Sequence, residues 1–166
     1  MGYTVMMFAV PRIVALVGFC IGASPAAAQL PAPSARDSVV IQSCVKSKPK
    51  AEESCIGIVA DPCLDGKDAQ STAGQSACFS RETAVWDDIL NETFRRLRDK
   101  LNDEQKTKLR DMQRAWIASR DASCAFYWDY YQGTMASPMS ASCANRETAR
   151  RALFLLGFLQ DAEGGQ

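Results

Sequence analysis

The chain has 166 residues, with 19 basic and 19 acidic side chains and no histidine. Such a balance offers no electrostatic footprint for a nucleic acid or an anionic membrane. The missing imidazole removes the commonest general base and metal ligand.

Ile13–Ala23 is an apolar run preceded by Arg12 and followed by SPAAAQ, where Ala26 and Ala28 have the small-x-small order that signal peptidase reads. The expectation is a secretory signal peptide over residues 1–28, cleaved after Ala28. The run is shorter than the roughly 20 residues of a spanning helix, so no stable membrane span is expected after cleavage. Cys20 follows Phe19 rather than a small residue, which argues against a lipid-modified cysteine. Beyond Ala28 lie all 19 acids and 18 of the 19 basic residues, for a net charge of −1.

Residues 29–36 are rich in Pro and Ala and read as a flexible mature terminus. Residues 37–77 form a cysteine-containing extension. It comprises a short helix over Asp37–Lys48, an interruption at Pro49, a resumed apolar pattern over Glu52–Ala60 and a Gly-, Ser- and Asp-rich loop over Pro62–Ser76. The strongest periodicity follows. Val85, Trp86, Ile89, Leu90, Phe94, Leu97 and Leu101 form a helical stripe within Phe79–Leu101, with Ser80 as a candidate N-cap. Asn102 and Gln105 have the spacing of a capping box. They open a second helix that is expected to reach about Tyr127. Gln132–Ser142, with Gly133 and Pro138, reads as a loop before a last helix over Ala144–Gln160. No alternating run competes. The expected fold is all-α: an antiparallel helical hairpin or three-helix bundle over residues 78–162, carrying a disulfide-tied helical N-terminal extension.

Setting Cys20 aside leaves six cysteines: Cys44, Cys55, Cys63, Cys78, Cys124 and Cys143. An even number in an exported chain reads as three disulfides. The C-x-x-C pairs and histidines of a zinc site are missing, so no metal is expected. Six cysteines allow many connectivities. Nearest-neighbour pairing is preferred, Cys44–Cys55, Cys63–Cys78 and Cys124–Cys143, because each bridge closes a short loop.

In QRAWIASRDASC, Gln113, Trp116 and Arg120 share one helix face. A hairpin turning at Asn102 would set Asn91 opposite Gln113 and Asp87 near Ile117 and Arg120. The expectation is a structural polar layer in which Asp87 pairs with Arg120 and Asn91 with Gln113 around Trp116. A slipped register would then leave buried polar groups unpartnered. No nucleophile or second acid accompanies this set, and nucleotide-binding loops and nucleophile elbows are missing, so no enzyme and no cofactor is expected. The aromatic cluster Phe126, Tyr127, Trp128, Tyr130 and Tyr131 adjoins Gly133 and Pro138. Tethered between Cys124 and Cys143, these residues form the candidate binding loop, since Tyr and Trp favour interface anchors.

Three blocks carry a resemblance to a known family. They are Asp87, Leu90 and Asn91 in WDDILN; Gln113, Trp116, Arg120, Asp121 and Cys124 in QRAWIASRDASC; and Cys143, Thr148 and Arg151 in CANRETARR. In order and spacing they resemble the LprI-like lysozyme-inhibitor family of bacterial envelope proteins, over about Cys78–Leu159. The resemblance implies an exported, helical, disulfide-tied domain in the periplasm or secreted, with lysozyme as partner. A rigid core would then present the candidate loop to the enzyme's glycan cleft. The alternative is an envelope interaction or scaffold protein with another envelope protein as partner and no action on lysozyme.

Overall fold

The computed structural model describes residues 33–48 and 52–164. The expected signal peptide over 1–28, Cys20, residues 29–32 of the expected flexible terminus and the interruption at Pro49 lie outside them. Regular structure among the described residues is helical throughout. In chain order come α1 (Ala35–Ser47), a 3₁₀ turn (Glu52–Cys55), α2 (Ala60–Leu64), a second 3₁₀ turn (Lys67–Ala69), α3 (Thr72–Lys100), α4 (Asp103–Tyr130) and α5 (Ala136–Glu163). The fold is all-α, as the periodicity indicated, and α3, α4 and α5 are each about 40 Å long.

Local chemistry sets the helix starts. Asn102 Oδ1 accepts the Gln105 N–H at 2.9 Å and Gln105 Oε1 accepts the Asn102 N–H at 3.0 Å, completing the capping box read from the sequence. Ser34 and Asp37 make a second such box at the start of α1. Two helices begin earlier than their composition implied. The N-cap of α3 is Ser71, which accepts the Gly74 N–H at 3.0 Å, rather than Ser80. α5 starts at Ala136 with Pro138 in its first turn, where a missing N–H leaves no helical acceptor unmet. The expected loop over 132–142 is therefore confined to residues 131–135, with Gly133 at φ +117°.

The three long helices run up, down and up, and α5 is the central one. It lies parallel to α3: Ser76 meets Ser137 at 2.7 Å, Asn145 meets Glu82 at 3.1 Å and Arg96 meets Glu163 at 2.7 Å. It lies antiparallel to α4, which it meets through Cys124–Cys143 and through Gln113–Arg151. The backbones of α3 and α4 do not run closely together, because α5 packs against both.

One core cluster spans the molecule. Trp86, Val85 and Leu90 of α3 and Ala149, Ala152, Leu155 and Leu159 of α5 form its centre. Ile41 and Cys44 of α1, with Cys55 and Val59 of the segment that follows, join the same cluster. The pairs Cys44–Cys55, Cys63–Cys78 and Cys124–Cys143 are bonded. No helix among the described residues is long and apolar enough to cross a membrane.

Candidate functional site

The residues singled out in the sequence fall into different places. Asp87 and Asn91 lie on the exposed face of α3, one turn apart, and bond to each other at 2.9 Å. Arg120 bonds to its neighbour Asp121 at 2.8 and 2.9 Å. Gln113 accepts from Arg151 Nε of α5 at 2.8 Å. The expected pairs Asp87–Arg120 and Asn91–Gln113 are therefore absent. Register arithmetic treated α3 and α4 as each other's partners, whereas α5 supplies the facing surface for both. The stripe that α3 buries, Cys78, Glu82, Val85, Trp86, Leu90, Thr93 and Leu97, turns Asp87 and Asn91 to solvent.

The polar layer that does form joins α4 to α5. Trp116 is half-buried, with the guanidinium carbons of Arg120 and Arg151 at 4.9 and 5.5 Å from its ring centroid. Arg151 also lies 5.1 Å from the Phe154 centroid. Its Nη2 is buried without a hydrogen-bond partner, and burial pulls its pKa below the usual guanidinium value. Gln113 is its neutral acceptor and the two rings are its cation–π partners. This set holds two helices in register and offers no nucleophile.

A second polar site was missed in the sequence. Glu82 is fully buried. Its Oε1 accepts the Gly57 N–H at 2.7 Å, the Trp86 indole N–H at 3.0 Å and the Asn145 amide at 3.1 Å. Its Oε2 accepts the Val59 and Ala60 N–H groups at 2.9 and 2.7 Å. Two of these donors, Gly57 and Val59, precede α2, and Ala60 is its first residue, so the carboxylate stands at that helix's open N-terminus. Gly57 adopts φ +97°, and a Cβ there would come 2.6 Å from Asp61 Oδ2. The left-handed backbone that presents this N–H to Glu82 thus favours glycine. Nearby, Asp61 is pushed above its usual pKa by burial and by the charges of Glu82 and Asp65. Next to Glu82 in the sequence of α3, Arg81 Nε and Nη2 clamp the buried carboxylate of Asp37 at 2.7 and 2.6 Å. Asp37 is held at about 2 by those hydrogen bonds, against the opposing effect of burial. Both sites are architectural: they fix the N-terminal segment on α3.

The end of α4 is different. Beyond Cys124 no residue of α4 is fully buried. Phe126 is 61% exposed, Trp128 54%, Tyr130 68% and Tyr131 38%, and Met135 in the following turn is 50% exposed. Tyr127 is half-buried and stacks on Tyr131, with centroids 5.8 Å apart and rings 2° from parallel. Phe126 and Tyr130 lie one turn apart with centroids at 6.1 Å, and Tyr130 meets Tyr131 edge-on at 5.0 Å. The cluster is thus mainly helical, where a loop was expected. Gly133 has open space around its Cα, while Pro138 is buried as part of the support. The described residues leave the aromatic side chains at this helix end largely uncovered. The Cys124–Cys143 bridge lies just below it.

The three disulfides are of the kind that persists in an oxidising compartment outside the cytosol. No curated protein and no solved structure matches the chain. The family model described as lysozyme inhibitor LprI matches residues 63–155. That range covers more than half of the chain and takes in the Glu82 carboxylate, the Trp116 stack and the aromatic end of α4; the chain belongs to the LprI lysozyme-inhibitor family.

Proposed function

We propose that this protein, in the periplasm or secreted, inhibits lysozyme by seating the aromatic end of α4 in the enzyme's glycan cleft. The observation that carries this reading is the exposure of Phe126, Trp128 and Tyr130 on a disulfide-anchored helix end. Rings held by a helix have little conformational freedom left to lose on binding. They can occupy a groove that otherwise stacks against sugar rings, and Tyr and Trp are over-represented among the residues that dominate binding energy. The short turn over residues 131–135 lets Tyr131 and Met135 flank the same surface. No chemistry is required of the inhibitor. It acts by occupying the cleft.

The test is lysis of suspended cell wall by c-type and g-type lysozymes in the presence of the oxidised protein. Inhibition is expected, and it is expected to fall sharply in Phe126→Ala/Trp128→Ala/Tyr130→Ala while the melting curve stays close to wild type. A folded sample that inhibits neither enzyme at tens of micromolar sinks the reading and leaves an envelope partner other than lysozyme. Inhibition that survives the triple substitution moves the site elsewhere on the molecule.

A further inference from the structure

The end of α4 lacks a cation where a helix favours one. Partial negative charge gathers at a helix C-terminus, and Lys or Arg in the last turn offsets it. α1 has Lys46 there, and α3 has Arg98 and Lys100. α5 has no basic residue in its last turn and ends on Glu163, but Arg96 of α3 reaches across to pair with that carboxylate at 2.7 Å. The last turn of α4 has no basic residue either, and it carries Asp129. Asp129 is exposed, and none of the ion pairs among the described residues includes it.

The surroundings deepen the deficit. From Asp121 to Asn145 the sequence contains no Lys or Arg. Of the two acids in that stretch, Asp121 is matched by Arg120 at 2.8 Å, and Asp129 is left over. Its sequence neighbours Trp128 and Tyr130, and Phe126 three residues before it, carry exposed rings whose faces bear the negative side of the aromatic quadrupole. An unpaired carboxylate, the carbonyl end of a helix and several open ring faces therefore share the last turn of α4. All three attract the same kind of group.

We propose that the occupant of this surface is a basic protein face, which places a Lys or Arg side chain against Asp129 and over the neighbouring rings. The location rests on the inhibitor reading above. The chemistry rests on the charge and ring arrangement alone. Binding is steered by this local charge, since the chain beyond Ala28 carries a net charge of only −1.

The experiment is a titration of the ¹⁵N-labelled oxidised protein with two peptides of equal length, one built on Lys and Arg and one on Glu. The cationic peptide is expected to shift amides over residues 126–135. Its affinity should fall about tenfold in Asp129→Lys and weaken steadily with added salt, because the contact is an exposed charge pair. The anionic peptide should leave those amides unmoved. Shifts centred on other acidic stretches, an unchanged affinity in Asp129→Lys, or self-association of the protein through residues 126–131 would each overturn the proposal. A parallel measurement with lysozyme separates the two readings. Inhibition unaffected by Asp129→Lys removes the cationic contact and leaves the inhibitor. No inhibition by the wild-type protein removes the inhibitor, and the peptide titration still decides the cationic contact.

Discussion

The carboxylate of Glu82 accepts the indole N–H of Trp86 from one helical turn away, at 3.0 Å, and both side chains are fully buried. The other donors to Glu82 are three backbone N–H groups and the Asn145 amide, so a single charge ties α3 to α5 and to the segment before α2. Glu82→Gln keeps the shape but turns an NH₂ group toward N–H donors. It is expected to cost about 1–3 kcal/mol, the penalty for leaving a buried donor without an acceptor. Guanidinium unfolding of the oxidised protein measures this. A loss below about 1 kcal/mol would show that the five hydrogen bonds are easily replaced.

Asp37 and Arg81 predict a defined acid sensitivity. Asp37 has a pKa of about 2 in the folded protein, below the ordinary 3.8 that it regains on unfolding. A depressed carboxylate stabilises the fold above the unfolded value. That contribution is lost as pH falls from about 4 to about 2. Arg81 is more than a third exposed, so solvent screens the pair and about 1–2 kcal/mol is at stake. Arg81→Met should flatten the pH dependence of stability between pH 4 and 2, read by denaturant melts at several pH values. A slope identical to wild type would remove Arg81 as its source.

The position of α5 separates residues that the sequence had grouped. Asp87→Ala should change stability by less than about 0.5 kcal/mol, because its partner Asn91 is equally exposed. Gln113→Leu should cost about 1–3 kcal/mol by leaving the half-buried Arg151 without its acceptor. Adding Arg151→Met should recover part of that loss. Additive effects in this double-mutant cycle would count against the contact.

The Cys124–Cys143 bridge spans 19 residues and closes the α4–α5 turn. Replacing both cysteines by Ser is expected to cost about 3 kcal/mol by the loop-entropy model. The pair should remain helical by circular dichroism. Its affinity for any partner of the aromatic end should drop further than its stability alone explains, because the α4 end loses its tether. Equal binding by the two proteins would show that the bridge acts on stability only.

Much of the architecture was legible because it is local. The stripe from Val85 to Leu101, the Asn102–Gln105 box and the short spacing of each cysteine pair all act over a few turns of chain. The error in the polar layer came from a long-range fact. Whether α3 faces α4 or α5 depends on how three amphipathic surfaces compete, and two-helix arithmetic omits the third. Glu82 was within reach. It follows Cys78 and precedes Trp86 by four residues each, so a charged side chain lies in the middle of the buried stripe. The donors it needed are backbone N–H groups, which leave no trace in side-chain identity. The start of α3 was hidden for a related reason. Thr72–Ser76 has loop-like composition, yet Ser71 caps it, Cys63 is bonded to Cys78 and Ser76 meets Ser137, so tertiary contacts override propensity.

The central helix follows both of its partners in the chain. Its contacts with α3 join residues 61 to 67 positions apart, so the growing chain cannot assemble its middle from neighbouring segments. Trp86 lies far from Leu155 and Leu159 along the chain, and without them α3 keeps only its contacts with the N-terminal segment. Folding of the bundle therefore waits for α5 to dock, with the loop-closure entropy of about 60 residues to overcome first. A chain lacking α5 would leave the α5-facing surfaces of α3 and α4 without a partner. Deletion of α5 should accordingly abolish the bundle as a whole rather than shorten it.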